Sequence, residues 1–289
     1  VEKFNLFPLP YAVVSRFQAA KLLQAKADGL ERITSSLDLG LSQQEVWLNP
    51  VGIGTNNQPL LDWEQLQTIA DSKNGCFRVL NGTIEEIRCY SESTRRTFSL
   101  FPTAEAPALL ISGFTMHRFK DISPQRAALA MIEAAAPIRG RVLDTATGLG
   151  YTAIAAAQKA AAVITIELDP GSLEMARANP WSQELFNHPA ISRIAGDSSE
   201  EIGKFPDEYF GIIIHDPPSM NLAGDLYAEA FYRQAWRVLA GNGRMFHYLG
   251  DPNSTLGGRV TKGVVKRLQS AGFRRIVPKP FAHGVLACK

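Results

Sequence analysis

Long apolar runs are missing: no stretch approaches the roughly 18 to 20 residues that cross a bilayer, so no membrane role is expected. Cysteine is scarce. Cys76, Cys89 and Cys288 are far apart and odd in number, which offers neither a disulfide framework nor a zinc cluster and leads to the expectation of a reducing, cytoplasmic setting. Charge of either sign is not in excess, since 30 Lys and Arg against 28 Asp and Glu leave a formal +2 that demands no polyanionic partner. Internal repeats are absent, and the only biased tracts are Ala clusters at 134–136 and 155–162, which read as helix and tight packing. The start at Val1 lacks the basic segment and apolar run of a secretion signal, and Val in place of Met leads to the expectation that the natural chain starts earlier. What is present, 289 residues with 45% hydrophobic content, supplies a core for one large domain or two modest ones and excludes disorder as the main state.

The texture changes near residue 120. After an expected helix over Tyr11–Ala27 come short β-type segments at Arg32–Leu37, Glu45–Leu48, Cys76–Leu80, Thr83–Tyr90, Thr97–Leu100 and Ala108–Ile111. Asn56-Asn57-Gln58-Pro59 reads as a turn before a brief helix at Leu61–Ile69, and Asn81-Gly82 as a tight hairpin turn, because both residues tolerate positive φ. Residues 1–120 are therefore expected to form a mostly β accessory domain. From Ser123-Pro124, an N-cap followed by proline at the first helical position, helices alternate with apolar strands at 141–143, 163–166, 191–195, 210–214 and 244–248. Runs such as Gly211-Ile212-Ile213-Ile214 are apolar on both faces, as in a mostly parallel sheet covered by helices on both sides. The expected fold class is α/β, doubly wound, over residues 121–289. The segments 244–249 and 284–287 are candidates for an antiparallel pair at its edge.

The loop after the first of these strands, Asp144-Thr145-Ala146-Thr147-Gly148-Leu149-Gly150, opens an Ala-rich helix. Ligands in such folds sit outside the carboxyl ends of the strands, where small residues let the backbone approach them. Gly148 and Gly150 permit that approach, while Ala146 stands where a further glycine is possible. A carboxylate at Asp144 suits a ligand bearing an amino group better than a pyrophosphate. Glu167, at the end of the next strand, can accept from both hydroxyls of a ribose, with Asp169 as the competing capping acid. Asp197, after Gly196, is placed to accept from an adenine amine, its other role being to cap Ser198–Ile202.

Taken in order, Asp144-x-Ala146-x-Gly148-x-Gly150, Glu167, Gly196-Asp197 and Asp216-Pro217-Pro218-Ser219 resemble class I S-adenosylmethionine-dependent methyltransferases over about residues 123–289. The resemblance implies a Rossmann-like, seven-stranded sheet and S-adenosylmethionine as cofactor. It implies that the glycine loop lies against the methionine moiety, Asp144 supports its amino group, Glu167 holds the ribose and Asp197 lies near the adenine. It further implies that Asp216 accepts a hydrogen bond from an attacking amine, with the Pro217 carbonyl as a second acceptor and Pro218 stiffening the turn. Similar tetrapeptides occur in enzymes that methylate nitrogens, often of bases in RNA or DNA. Ser219 departs from that pattern, because the fourth position is normally aromatic and stacks on a base. Tyr248, Phe246, Tyr227 and an aromatic of the N-terminal domain are the candidates to replace it.

His117, Arg118, His215 and Tyr248 are further candidates for substrate contact, and no histidine spacing resembles a metal site. The segment Asp251–Lys289 carries eight basic residues and one acid, which keeps RNA modification, with tRNA or rRNA ahead, among the expectations. Alternatives are a small-molecule amine as acceptor, and a catalytically silent binding or scaffolding protein. A weaker similarity to spermidine and spermine synthases extends over Leu226–Tyr232 and Leu239–Gly243, and implies aminopropyl transfer. Those enzymes carry an acid three residues before the Asp-Pro step, where Ile213 stands here. No motif fixes an oligomeric state.

Overall fold

The computed structural model describes residues 9–55, 58–220, 222–252 and 254–289. It consists of two units, one of residues 1–124 with Gly171–Glu184, the other of Gln125–Pro170 with Leu185–Lys289. The first two residues of the expected turn at 56–59 lie outside the described residues.

In the first unit, Val13 and Val14 extend the chain as β1 (Ala12–Ser15), and helix α1 (Arg16–Ala27) begins only after it. The expected helix from Tyr11 is thereby corrected. β-branched side chains favour the strand, and a capping box sets the boundary: Gln18 Oε1 accepts from the Ser15 backbone N–H at 3.0 Å. Four strands follow in sequence as one antiparallel sheet, β2 (Arg32–Ser35), β3 (Gln44–Leu48), β4 (Gly52–Thr55) and β5 (Gln58–Asp62), before helix α2 (Trp63–Asp71). The sequence reading missed β4 and β5, which the close approach of two backbones makes possible: a Cβ on Gly52 would lie 2.0 Å from the Leu61 carbonyl oxygen.

Strand β6 (Cys76–Leu80) turns at Asn81-Gly82 into β7 (Thr83–Glu86), and both turn residues have positive φ, as expected of a primed turn. The run Thr83–Tyr90 is two strands rather than one. Ile87 donates its N–H to the Cys76 carbonyl and accepts from Leu100, so the chain passes there from the β1-β6-β7 sheet into a second one. That second sheet holds β8 (Arg88–Ser91), β9 (Arg96–Phe101), β10 (Ala108–Ile111) and β11 (Phe114–Thr115). Most of this unit's strands are short and antiparallel, and its core gathers Val14, Leu22, Val46, Ile53, Leu66, Ile69 and Val79.

The remaining elements are α3 (Pro124–Ala135), β12 (Arg141–Asp144), α4 (Tyr151–Ala157), β13 (Ala162–Glu167), α5 (Pro170–Ala178), α6 (Glu184–Asn187), β14 (Ile191–Ala195), α7 (Ser198–Glu201), β15 (Phe210–His215), α8 (Glu229–Val238), β16 (Leu239–Tyr248), α9 (Thr255–Ser270), β17 (Arg275–Lys279) and β18 (Gly284–Cys288). Their seven strands form one sheet ordered β14-β13-β12-β15-β16-β18-β17, the Rossmann-like core expected from the sequence. Strands β13, β12, β15 and β16 run parallel, while β18 is antiparallel to both β16 and β17. The expected 244–248 and 284–287 pair forms, but β17 is the outermost strand and was missed. Pro278 masks it in sequence, and an edge is where a strand tolerates proline.

Strand order reverses between β12 and β15, and the crevice outside the carboxyl ends at such a switch point is where ligands bind in this architecture. Leu143 and Ile213 face the core there, packed with Tyr232, Ala235 and Val238 of α8. Leu143→Ala should lower the free energy of unfolding by about 3 kcal/mol, and Leu143→Ile by less than about 1.5 kcal/mol, as followed by urea denaturation.

Candidate functional site

Register places the acids. Asp144 is level with Thr165 on β13 and with Ile214 on β15, so Glu167 and Asp216 each stand two residues farther out on the same side of the sheet. Three carboxyl groups therefore cross three adjacent strand ends. Asp144 is fully buried, accepting from Thr152 Oγ1 at 3.0 Å and Thr165 Oγ1 at 2.7 Å. Thr165 spends its proton on Asp144, so the 2.6 Å contact between Thr147 and Thr165 has Thr147 as the donor. Burial pushes the Asp144 carboxyl up to about 7, against the two hydroxyl bonds, with the Glu167 charge adding to the rise.

Glu167 is pinned by one backbone N–H on each oxygen, Gly148 at 2.8 Å and Asp169 at 3.0 Å, while its own carbonyl accepts from Gly196 at 2.9 Å. The competing acid Asp169 is buried and serves as a donor to Glu167 through its backbone. Gly148 and Gly150 have different tasks. At Gly148, with φ +50°, no described atom lies within 4 Å of an added Cβ, so open space borders the loop. At Gly150, with φ +79°, a Cβ would fall 2.7 Å from Leu185, so that glycine serves packing and the start of α4. Ala146 is half-buried between Thr145 and Thr147, both buried. Asp197 caps α7, taking the Ser199 N–H and hydroxyl, each at 2.7 Å, on the same oxygen, Oδ1. The loop, Glu167 and Asp197 thus form one rim along the ends of β12, β13 and β14.

On the other side of the switch point, Asp216 follows β15. Burial first, and then the nearby Asp144 charge, raise its carboxyl to about 7. Pro217 is buried, and the Pro218 carbonyl accepts from the Tyr227 hydroxyl at 3.1 Å. Tyr227 is buried, and its phenol is pushed up by burial and then by the charges of Asp216 and Tyr248, which lie close by. Tyr248 ends β16 half-buried with its ring stacked on His283. Of the three aromatics named as replacements at Ser219, Phe246 is fully buried in the core and unavailable, while Asp216 and Tyr248 each lie near Tyr227. Ser219 itself is exposed.

His215 is fully buried beneath this turn, with both ring nitrogens in use: Nδ1 is 2.6 Å from Thr145 Oγ1 and Nε2 is 2.9 Å from the Leu226 carbonyl. Burial pulls its pKa down to about 4. His117 and Arg118 belong to the first unit. There His117 Nδ1 accepts from the Leu109 N–H at 3.1 Å, burial lowers its pKa to about 4, and Arg118 is paired with Asp121. The hydroxyl partners of Asp144, Thr152 and Thr165, escaped the sequence reading, since they stand 8 and 21 residues along the chain. Among the described residues, no group of three or more His, Cys, Asp or Glu could hold a metal ion, and no helix is long and apolar enough to cross a membrane.

Residues 124–250 match the methyltransferase small domain family. A likeness in fold extends to spermidine synthases: one in complex with the transition state analogue AdoDATO, with a TM-score of 0.57 and 19% identity, covers 72% of this chain and 76% of its own. The spermidine synthase of Thermotoga maritima gives a TM-score of 0.55 at 18% identity over 72% of this chain and 75% of that one. The protein thus has a Rossmann-like fold of the kind that these spermidine synthases share, with the methyltransferase small domain match in its α/β part. Within that class it belongs to the family of the uncharacterized protein MJ1233 of Methanocaldococcus jannaschii, with 41% identity over 231 residues, 79% of this chain and 78% of that protein.

The raised carboxyls have a consequence for stability. Folded values near 7 stand above the ordinary 3.8, so their contribution is fully present below pH about 4 and is lost as the pH rises through about 7. The buried His117 and His215, lowered to about 4, act in the opposite sense but alike in both proteins, so the urea midpoint of Asp216→Asn should gain on that of the wild-type protein between about pH 4 and about pH 8. An identical pH dependence in the two proteins would remove Asp216 from this account.

Proposed function

We propose that the protein transfers a methyl group from S-adenosylmethionine to a nitrogen of a small-molecule amine. The observation that carries this reading is the line of Glu167, Asp144 and Asp216 on one side of three adjacent strand ends at the switch point, an arrangement suited to a cationic ligand and to an amine acceptor that reacts as its neutral base. Bound S-adenosylmethionine supplies an electrophilic methyl carbon on positively charged sulfur, from which the acceptor nitrogen takes the methyl by in-line displacement of a thioether. Glu167, its carboxylate fixed by two N–H groups, grips the ribose hydroxyls. Gly148 leaves room for the ligand in front of the loop, and Asp144 balances the methionine amino group from below. Asp197 serves the adenine amine with the oxygen that its helix cap does not use. Asp216 accepts a hydrogen bond from the acceptor amine, holding its lone pair toward the methyl group, and with a pKa near 7 it can receive the released proton at neutrality.

A nucleic-acid base has less support as acceptor. Ser219 offers no stacking surface, and Phe246 is locked in the core. Aminopropyl transfer is the second reading, favoured by the reach of the likeness to spermidine synthases, about 208 residues of this chain and more than its α/β part alone. Against it, Ile213 fills a core position where the resemblance calls for a carboxylate.

Methyl-labelled S-adenosylmethionine incubated with the protein and fractionated cell extract should carry label into the small-molecule pool. Label in RNA, DNA or protein instead would overturn this choice of acceptor, and turnover with the decarboxylated cofactor alone would establish the aminopropyl reading. Asp216→Ala should lower turnover at least about tenfold while cofactor affinity, read by calorimetry, stays within about twofold.

A further inference from the structure

His215 is used by none of the chemistry above, yet it is the best-connected polar side chain behind the site. The Leu226 carbonyl can only accept, so Nε2 carries the ring proton and donates to it at 2.9 Å. A buried neutral ring then presents a lone pair at Nδ1, and the Thr145 hydroxyl donates to it at 2.6 Å. The ring is clamped in this orientation by Phe231, stacked with centroids 4.7 Å apart, and by His247 at 4.4 Å.

The two ends of this bridge lie in different functional segments. Thr145 belongs to the glycine loop and is held there by its backbone as well, donating to the Ile214 carbonyl at 3.1 Å and accepting from Ser198 Oγ at 2.6 Å. Leu226 belongs to the single helical turn Gly224–Tyr227, whose Gly224 and Asp225 are exposed. The next residue, Tyr227, binds the Pro218 carbonyl of the Asp-Pro-Pro-Ser turn. A continuous line of hydrogen bonds and one peptide link thus runs from the glycine loop through His215 to the turn that carries Asp216.

We propose that His215 is a positioning residue that couples the glycine loop to the Gly224–Tyr227 segment, so that filling the cofactor pocket orders the acceptor side. The proposal rests on the reading of the loop as an S-adenosylmethionine site. It assigns His215 no proton transfer: the ring keeps one tautomer and acts through Thr145 and Leu226. The bridge is a contiguous hydrogen-bonded path between the two segments, the kind of connection through which such coupling travels.

Hydrogen exchange with S-adenosylhomocysteine as the probe tests it. In the wild-type protein the probe should slow exchange in residues 145–150 and, by about fivefold or more, in residues 224–228, the low end of ordinary coupling between sites. His215→Ala should keep the first protection and lose the second. His215→Gln, whose amide can both donate to Leu226 and accept from Thr145, should regain it. Thr145→Val cuts the bridge at the other end without touching the histidine and should reproduce the alanine result, which guards against a folding defect of His215→Ala. Protection of 145–150 without any at 224–228 in the wild type, or full protection of both in His215→Ala and Thr145→Val, would overturn the coupling. Absence of protection at 145–150 in every form would instead overturn the cofactor reading, and the proposal with it.

Discussion

Asp144 sits at the end of β12 with no surface exposed to water, and a carboxyl group in that position must be satisfied by the protein or stay neutral. Thr152 and Thr165 satisfy it, and Thr147 in turn supports Thr165. Those hydroxyls come from the loop, from the helix that follows it and from the neighbouring strand. One buried acid thereby ties together three segments whose relative placement defines the ligand rim. The glycine loop keeps its shape, and Gly148 keeps its N–H toward Glu167, because the loop is anchored from below at Asp144 and from the side at Glu167.

The two sides of the sheet divide the work. Asp144, Glu167 and Asp216 share one side by register, while His215 lies one residue off and points to the other, toward Phe231 and Tyr232 of α8. Neighbours in sequence, Asp144 with Thr145 and His215 with Asp216, therefore send charge to the ligand side and neutral hydrogen bonds to the core side. Alternation along a strand accounts for that partition without any special backbone geometry. The same alternation sends Ile213 to the core beside Leu143, so replacing it with an acid would bury a charge among Tyr232, Val238 and Met245.

Much of the second unit was legible because its signals are local. Apolar strands such as Ile212–Ile214 and the loop from Asp144 to Gly150 carry their own periodicity and glycine punctuation, and the acids at strand ends follow from them. The hairpin at Asn81-Gly82 was legible for the same reason. What escaped depends on partners distant in sequence. Strand β4 needs the Leu61 backbone pressed against Gly52, and β17 tolerates Pro278 because of its place at the edge. The break at Ile87 is set by hydrogen bonds to Cys76 and Leu100. At the site, the acids could be read from position alone. The hydroxyl partners of Asp144 and the bridging by His215 could not, since Thr165 and Leu226 are far along the chain and their meeting is a property of the packed sheet.

The electrostatics of the ligand-free site follow from its burial. With Asp144 and Asp216 both raised to about 7, and each ionised carboxyl opposing the other, the pair is only partly charged at neutrality. A cation entering between them favours the ionised forms, so binding is accompanied by loss of protons and by a gain in attraction that a neutral ligand would not receive. A preference for positive charge then belongs to the raised carboxyls themselves rather than to a further side chain. Asp216, raised first by burial and then by Asp144, responds to a nearby positive charge in the same way. Such a site discriminates by charge before shape. Tyr227 and the turn at Pro217-Pro218 are held together beside it by the hydroxyl bond to the Pro218 carbonyl.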